Sequence, residues 1–210
     1  MEASATRVRS GLIPAGGWNE SFSSHLWNIK WAEFFPASLP QGVTVQWSTF
    51  DIVQKFAGEH FQNIYTSQST SPFIWRDNSP ARTRYYQATG DFFTFEHQDR
   101  IVGTFASNAT DWSNYYLRNA TFLSDFQGRG VYQAFLHQLI KILQDHGVTK
   151  LSGDVAPHNH RHIHILNKLG FNVTGVINSE QWGSNLHFER YLNPAYRQVF
   201  ERQFCHGTFP

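Results

Sequence analysis

Cysteine is almost missing from this chain: one residue, Cys205, in 210. A lone cysteine cannot close an intrachain disulfide, so nothing covalent staples the fold, and a reducing compartment is expected. No apolar run approaches the roughly 20 residues that a membrane-spanning helix needs. Residues 1–14, MEASATRVRSGLIP, lack the apolar core of a secretion signal, and the expected location is cytoplasmic. Charge of one sign is scarce as well. A net charge of +1 excludes the broad basic surface that nucleic acid requires.

What the chain does have is ring and core. Hydrophobic residues make up 40% of it, and 19 phenylalanines and seven tryptophans must build much of the interior or line a pocket. The length suits one domain carrying an extension. The expected division is an N-terminal extension with an aromatic helix over 1–42, a catalytic domain over 43–193, and a C-terminal helix and tail over 194–210.

The most informative stretch runs from Phe122 to Leu143. A strand-like run, Tyr115 to Leu123, leads through a polar turn into Gln127-Gly128-Arg129-Gly130. An amphipathic helix follows, with Val131, Phe135, Leu136, Leu139, Ile140 and Leu143 at the spacing of one buried face. Glycines admit a backbone path that side chains block, and the first N–H groups of a helix have no intrahelical partner. With the helix dipole behind them, those donors suit a phosphate or pyrophosphate. A dinucleotide loop is the first rival, but Gln133 stands where its third glycine belongs and hairpin strands precede it. A Walker loop fails for want of Gly-Lys-Ser/Thr.

Elsewhere the pattern predicts a helix over Ser21–Phe35, with Trp27, Trp31 and Phe34 on one stripe, and a strand over Val43–Phe50. A helix capped by Asp51 should run to about Tyr65 with Ile52, Phe56 and Ile64 inward. A short helix should start at Pro80. Strands Phe92–Gln98 and Ile101–Ser107 should be joined at Asp99-Arg100. After the central helix come a strand at Leu151–Val155, a helix at Asn159–Leu169, two strands at Phe171–Ile177 and Leu186–Leu192, and a terminal helix. This order gives an α+β fold, a mixed and mostly antiparallel sheet flanked by helices.

Two stretches carry a family resemblance. Asn159 to Phe171, NHRHIHILNKLGF, resembles the signature of the GNAT N-acyltransferase superfamily, in which an Asn opens a helix ending in Lys-Leu-Gly-Phe. Gln127-Gly128-Arg129-Gly130-Val131-Tyr132 resembles that family's acyl-CoA loop, although Tyr132 replaces its usual small residue. The resemblance implies a GNAT-like sheet whose strands splay at the acyl-CoA site. It also implies acetyl-CoA or a longer acyl-CoA as co-substrate, without a metal. The pyrophosphate would lie on the amides of Gly128 to Tyr132, with Arg129 beside it. Main-chain groups of Phe122 and Leu123 would pair with the pantetheine arm, and Asn159 would contact it. The expected reaction is transfer of the acyl group to an amine by direct attack on the thioester.

The family commonly places a tyrosine acid where Leu166 stands, and leucine donates nothing. His162 shares that helical face and His158 stands just before the helix, so both are candidate catalytic groups, as are Tyr116 and Glu96. Phe73, Trp75 and Trp182 are candidate acceptor contacts. The acceptor is expected to be a small-molecule or peptide amine, and the protein a monomer or homodimer. Alternatives are a long acyl chain delivered by acyl-CoA or acyl carrier protein, motivated by the aromatic extension, and a non-catalytic acyl-CoA sensor, motivated by Leu166. His160 and His164 are four apart, a zinc-compatible spacing, but no carboxylate or cysteine completes a set there.

Overall fold

The computed structural model describes residues 21–64, 80–179 and 183–204. Its strands are β1 (Ala37–Leu39), β2 (Val43–Ser48), β3 (Gly90–His97), β4 (Arg100–Ala109), β5 (Asn114–Phe122), β6 (Lys150–Val155), β7 (Asn172–Ser179) and β8 (Gly183–Tyr191). The helices are α1 (Phe22–Leu26), α2 (Phe50–Ile64), α3 (Pro80–Thr89), α4 (Val131–Asp145), α5 (His160–Lys168) and α6 (Pro194–Phe204). One sheet holds all the strands in the order β1-β2-β3-β4-β5-β6-β8-β7. Every neighbouring pair is antiparallel except β5 and β6. This is the expected mixed, mostly antiparallel sheet flanked by helices.

Side-chain alternation along the strands separates two layers. Phe93, Phe95 and Phe105 project from one face and all meet Phe135 of α4, with ring centroids 5.0–5.3 Å apart. The six apolar positions expected to face inward on α4 are all buried, within one cluster that includes Leu151, Leu166, Leu169 and Phe188. Phe92 and Ala106 project the other way, against Val53 of α2 and Phe50. Among the described side chains of α2, Val53 and Phe56 face inward and Ile52 is exposed, while that of Ile64 lies outside the described residues. Thr49 rather than Asp51 stands at its start, since the Thr49 carbonyl accepts from the Val53 N–H.

The N-terminal extension departs from the expected helix over Ser21–Phe35. After α1 the chain turns at Asn28, whose φ is +53°, and continues as a single 3-10 turn at Trp31–Glu33. Breaking the helix lets Ile29, Trp31 and Phe35 all enter the core, where Trp31 and Phe35 both stack edge-on against Phe93. A continuous helix would have held part of that set away from the sheet. These rings are core. The chain then adds the edge strand β1, which the sequence pattern did not mark. The β3–β4 hairpin also slips by one position. Gln98 and Asp99 hold its turn at φ +50° and +59°, the left-handed pair of a tight hairpin.

Ser21 ties this extension to the sheet by donating its hydroxyl to Asp91, which also accepts from Tyr115 Oη at 2.8 Å. Burial raises the Asp91 carboxyl from 3.8 to about 6, against the pull of those two hydroxyls. The folded state therefore holds the proton more tightly than the unfolded chain. Asp91 contributes stability below pH 3.8, and that contribution is lost as pH rises through about 6. Asp91→Asn should remove from this window a slope of up to about 1.4 kcal/mol per pH unit. Urea midpoints measured across the window check this, and equal slopes in both proteins would count against it.

Candidate active site

The site begins where the sheet parts. β5 and β6 share three rungs, Asn114 with Lys150, Tyr115 with Leu151 and Tyr116 with Ser152, and then pair no further. The cause lies on the other edge of β5. Ala106 stands opposite Asn119 and Ser107 opposite Leu117, so Arg118 is an extra residue in the ladder. Such a bulge bends its strand and sharpens the twist, which turns the end of β5 away from β6. Just past the last rung Gly153 lies tightly beside Leu117. A Cβ on Gly153 would stand 3.3 Å from the Leu117 carbonyl oxygen.

On the α4 side of the gap lies the amide cradle. Gly128 and Gly130 adopt φ of +72° and +81°, and nothing lies within 4 Å of where their Cβ atoms would be. The first bond inside α4 runs from Ala134 N–H to the Gly130 carbonyl, so the N–H groups of Val131, Tyr132 and Gln133 precede it. No side chain caps this end and no acidic residue sits in its first turn. Donors, dipole and open space fit a pyrophosphate. Arg129 is exposed, with its guanidinium 5.7 Å from the Phe126 ring.

The strand end orients the next groups. Leu123 N–H donates to the Val102 carbonyl at 2.9 Å, so its amide faces β4 and not the gap, contrary to expectation. Antiparallel alternation then turns Phe122 N–H and C=O towards the gap. Gln127 Nε2 donates to that carbonyl at 2.9 Å. Across the gap, Asn159 Oδ1 accepts the His162 N–H at 3.2 Å and so caps α5. His162 Nε2 lies 3.3 Å from Tyr132 Oη, and the Tyr132 ring packs against Phe105 and Phe122. Burial drives His162 down to about 4, so it is neutral near pH 7 and a poor proton acceptor. Leu166 is buried in the core at 1% exposure, far from any acid's role.

The opposite face of the gap is polar. Tyr116 Oη donates to Asp154 Oδ2 at 2.8 Å, and Asp154 Oδ1 lies 2.6 Å from His187 Nδ1. His187 Nε2 is 3.7 Å from Glu189 Oε1, and Glu189 in turn pairs with Lys150. Sheet register assembles this row, because Asp154 faces His187 and Ser152 faces Glu189 across β6 and β8. Burial, and then the Asp154 carboxylate, hold the Tyr116 phenol protonated well above its ordinary value. With Nδ1–H donating to Asp154, the neutral imidazole of His187 carries its lone pair at Nε2.

The expected residues scatter around this arrangement. Tyr116 stands on the last paired rung, at the mouth of the gap. Glu96 accepts from Gln46 Nε2 at 2.7 Å and lies two strands from β5, about 10 Å by strand spacing. His158 is exposed in the turn before α5. Phe73, Trp75, Trp182 and Cys205 lie outside the described residues. Asp154, His187 and Glu189 were not singled out in the sequence. Their signal was there, in polar residues at alternate positions of both strands: Lys150, Ser152, Asp154 and Asn185, His187, Glu189. Among the described residues no three or more His, Cys, Asp or Glu side chains are arranged to hold a metal ion.

A sheet opened at its parallel pair, with an amide cradle on one side, is what the resemblance to acyl-CoA-dependent transferases implies. The model of the Acetyltransferase (GNAT) family matches residues 59–171, more than half of the 210, and the chain belongs to that family. It is thus a GNAT-type acyltransferase. Solved structures agree in fold. A GNAT family acetyltransferase from Elizabethkingia anophelis with acetyl-CoA bound is 13% identical at a TM-score of 0.51, covering 72% of this chain and 99% of its own. The ribosomal-protein-S18-alanine N-acetyltransferase from Escherichia coli is 18% identical at 0.54, covering 71% and 94%. Mycobacterium smegmatis RimJ in complex with CoA-disulfide is 16% identical at 0.55, covering 79% and 94%. No curated protein sequence matches significantly.

The α5 cap generates a stability prediction. Asn159→Ala should cost about 1 kcal/mol by leaving the His162 N–H without its acceptor. The urea midpoint checks this; a midpoint unchanged from the parent would show that the cap contributes nothing.

Proposed function

We propose that this enzyme transfers an acetyl group from acetyl-CoA to an amine by direct attack on the thioester. The observation that carries this reading is the parting of β5 and β6 between two chemically different faces: amide cradle and α5 on one side, Tyr116, Asp154 and His187 on the other. Acetyl-CoA, when bound, supplies an activated acyl group. Val131, Tyr132 and Gln133 N–H would hold its pyrophosphate, and Phe122 N–H faces the gap where it can polarise a carbonyl. Asn159 has its Oδ1 engaged in the cap, which leaves its NH₂ end for the pantetheine arm.

An amine acceptor arrives as an ammonium ion and must lose a proton to become a nucleophile. His187 Nε2 is the group for this. Asp154 fixes its tautomer and holds the ring in place. Tyr116 holds the second oxygen of Asp154 and thereby aims the carboxylate. On this reading Tyr116 acts through Asp154, and His158, His162 and Glu96 take no proton. A thiolate is a weak enough base to depart without the acid that Leu166 cannot provide. The acceptor side faces a surface, which suits a small-molecule or peptide amine. Acetyl is favoured over a long acyl chain because Trp31 and Phe35 of the described extension are packed into the core, with Trp27 and Phe34 against it.

His187→Ala should lower kcat by about 10²-fold or more while leaving the thermal stabilisation by CoA in place. Thiol release from acetyl-CoA, followed over a panel of amines, gives the readout. Turnover unchanged by the substitution would remove His187 as the base. Stabilisation by CoA without thiol release from any amine would instead make the chain a donor-binding sensor.

A further inference from the structure

We infer that the acceptor carries an oxyanion, a carboxylate or a phosphate, which Arg118 receives beside the amine; this rests on the amine-acceptor reading above. The bulge that opens the gap has a second effect. By inserting one residue it puts Asn119 on the same face as Tyr116, Asn108 and Arg118, which follows Tyr116 by two positions and keeps its face by ordinary alternation. The guanidinium is held there. Its Nε and Nη2 donate to Asn108 Oδ1 at 2.9 and 2.8 Å, and it sits 4.9 Å from the Tyr86 ring centroid and 5.7 Å from that of Tyr116.

What holds Arg118 is neutral. No carboxylate pairs with it among the described residues, and both oxygens of the nearby Asp154 are engaged by Tyr116 and His187. Two of its five N–H groups are taken by Asn108, and the other three sit on an exposed side chain at the acceptor mouth. A planar fork, pre-set by an amide and two rings, receives an oxyanion in bidentate fashion at little entropic cost. The same face offers Nε2 of His187 across the gap, so one acceptor could present its amine to His187 and its oxyanion to Arg118. That pairing describes a small zwitterionic acceptor, such as an amino acid or an aminoalkyl phosphate.

The test uses matched pairs with the full-length protein: α- and ω-amino acids against their carboxamides, and aminoalkyl phosphates against the corresponding amino alcohols. In the parent enzyme the anionic member of the preferred pair should have a kcat/KM at least about tenfold above its neutral twin. In Arg118→Gln that preference should collapse through KM, with the KM for acetyl-CoA unchanged. Arg118→Lys, which keeps the charge and loses the fork, should fall between the two and covers the case in which the glutamine variant does not fold. Neutral twins that equal or surpass the anionic amines, or a preference that survives both substitutions, would overturn the inference. If no amine turns over while CoA still stabilises the protein, the transfer reading fails separately. Calorimetric binding of the same pairs to CoA-loaded protein then decides: anionic members bound by the parent and lost in Arg118→Gln uphold the anion site, and equal or absent binding overturns it.

Discussion

One extra residue in β5 governs this molecule. A strand in register with β4 along its whole length would continue to pair with β6, and the sheet would have no opening. Arg118 interrupts that register, and β5 pairs with β6 no further than Tyr116 and Ser152. The cost is local: a few ladder bonds are forgone in exchange for a gap whose edge groups face a ligand. The rest of the structure makes the bend tolerable. The Phe93, Phe95, Phe105 and Phe135 cluster anchors one side, and Leu151 with Phe188 anchors the other.

The gap separates two environments with different electrostatics. Towards α4 and α5 the surroundings are aromatic and poor in charge, so the backbone amides and helix end dominate, and even His162 is kept neutral. Towards the other face, charged side chains form a connected row from Tyr116 to Lys150. A diphosphate is best met by fixed dipoles that need no counter-charge, whereas proton transfer needs a titratable group with an oriented partner. Each face has the equipment for one task, and the thioester would bridge them.

Much of the fold was legible in the sequence because its signals are local. The apolar stripe of α4, the glycine loop before it, the Asn at the head of α5 and the alternation of most strands all act over a few residues. What escaped is non-local or cooperative. The row of Asp154, His187 and Glu189 depends on β8 slotting between β6 and β7, and nothing in β6 itself specifies that neighbour. The bulge is invisible because Arg118 fits an exposed strand position as well as it fits an extra one. The extension misled for another reason. Its aromatics have helical spacing, yet burying Ile29, Trp31 and Phe35 together is worth more than completing the helix.

Leu166 closes one route to an acid at this site. It is enclosed with Leu169 and Phe171 beneath α5, contributing to the interior. Swapping a phenol into that slot would mean overfilling a close-packed region and stranding a hydroxyl there. A single substitution at this position therefore cannot supply an acid to the gap.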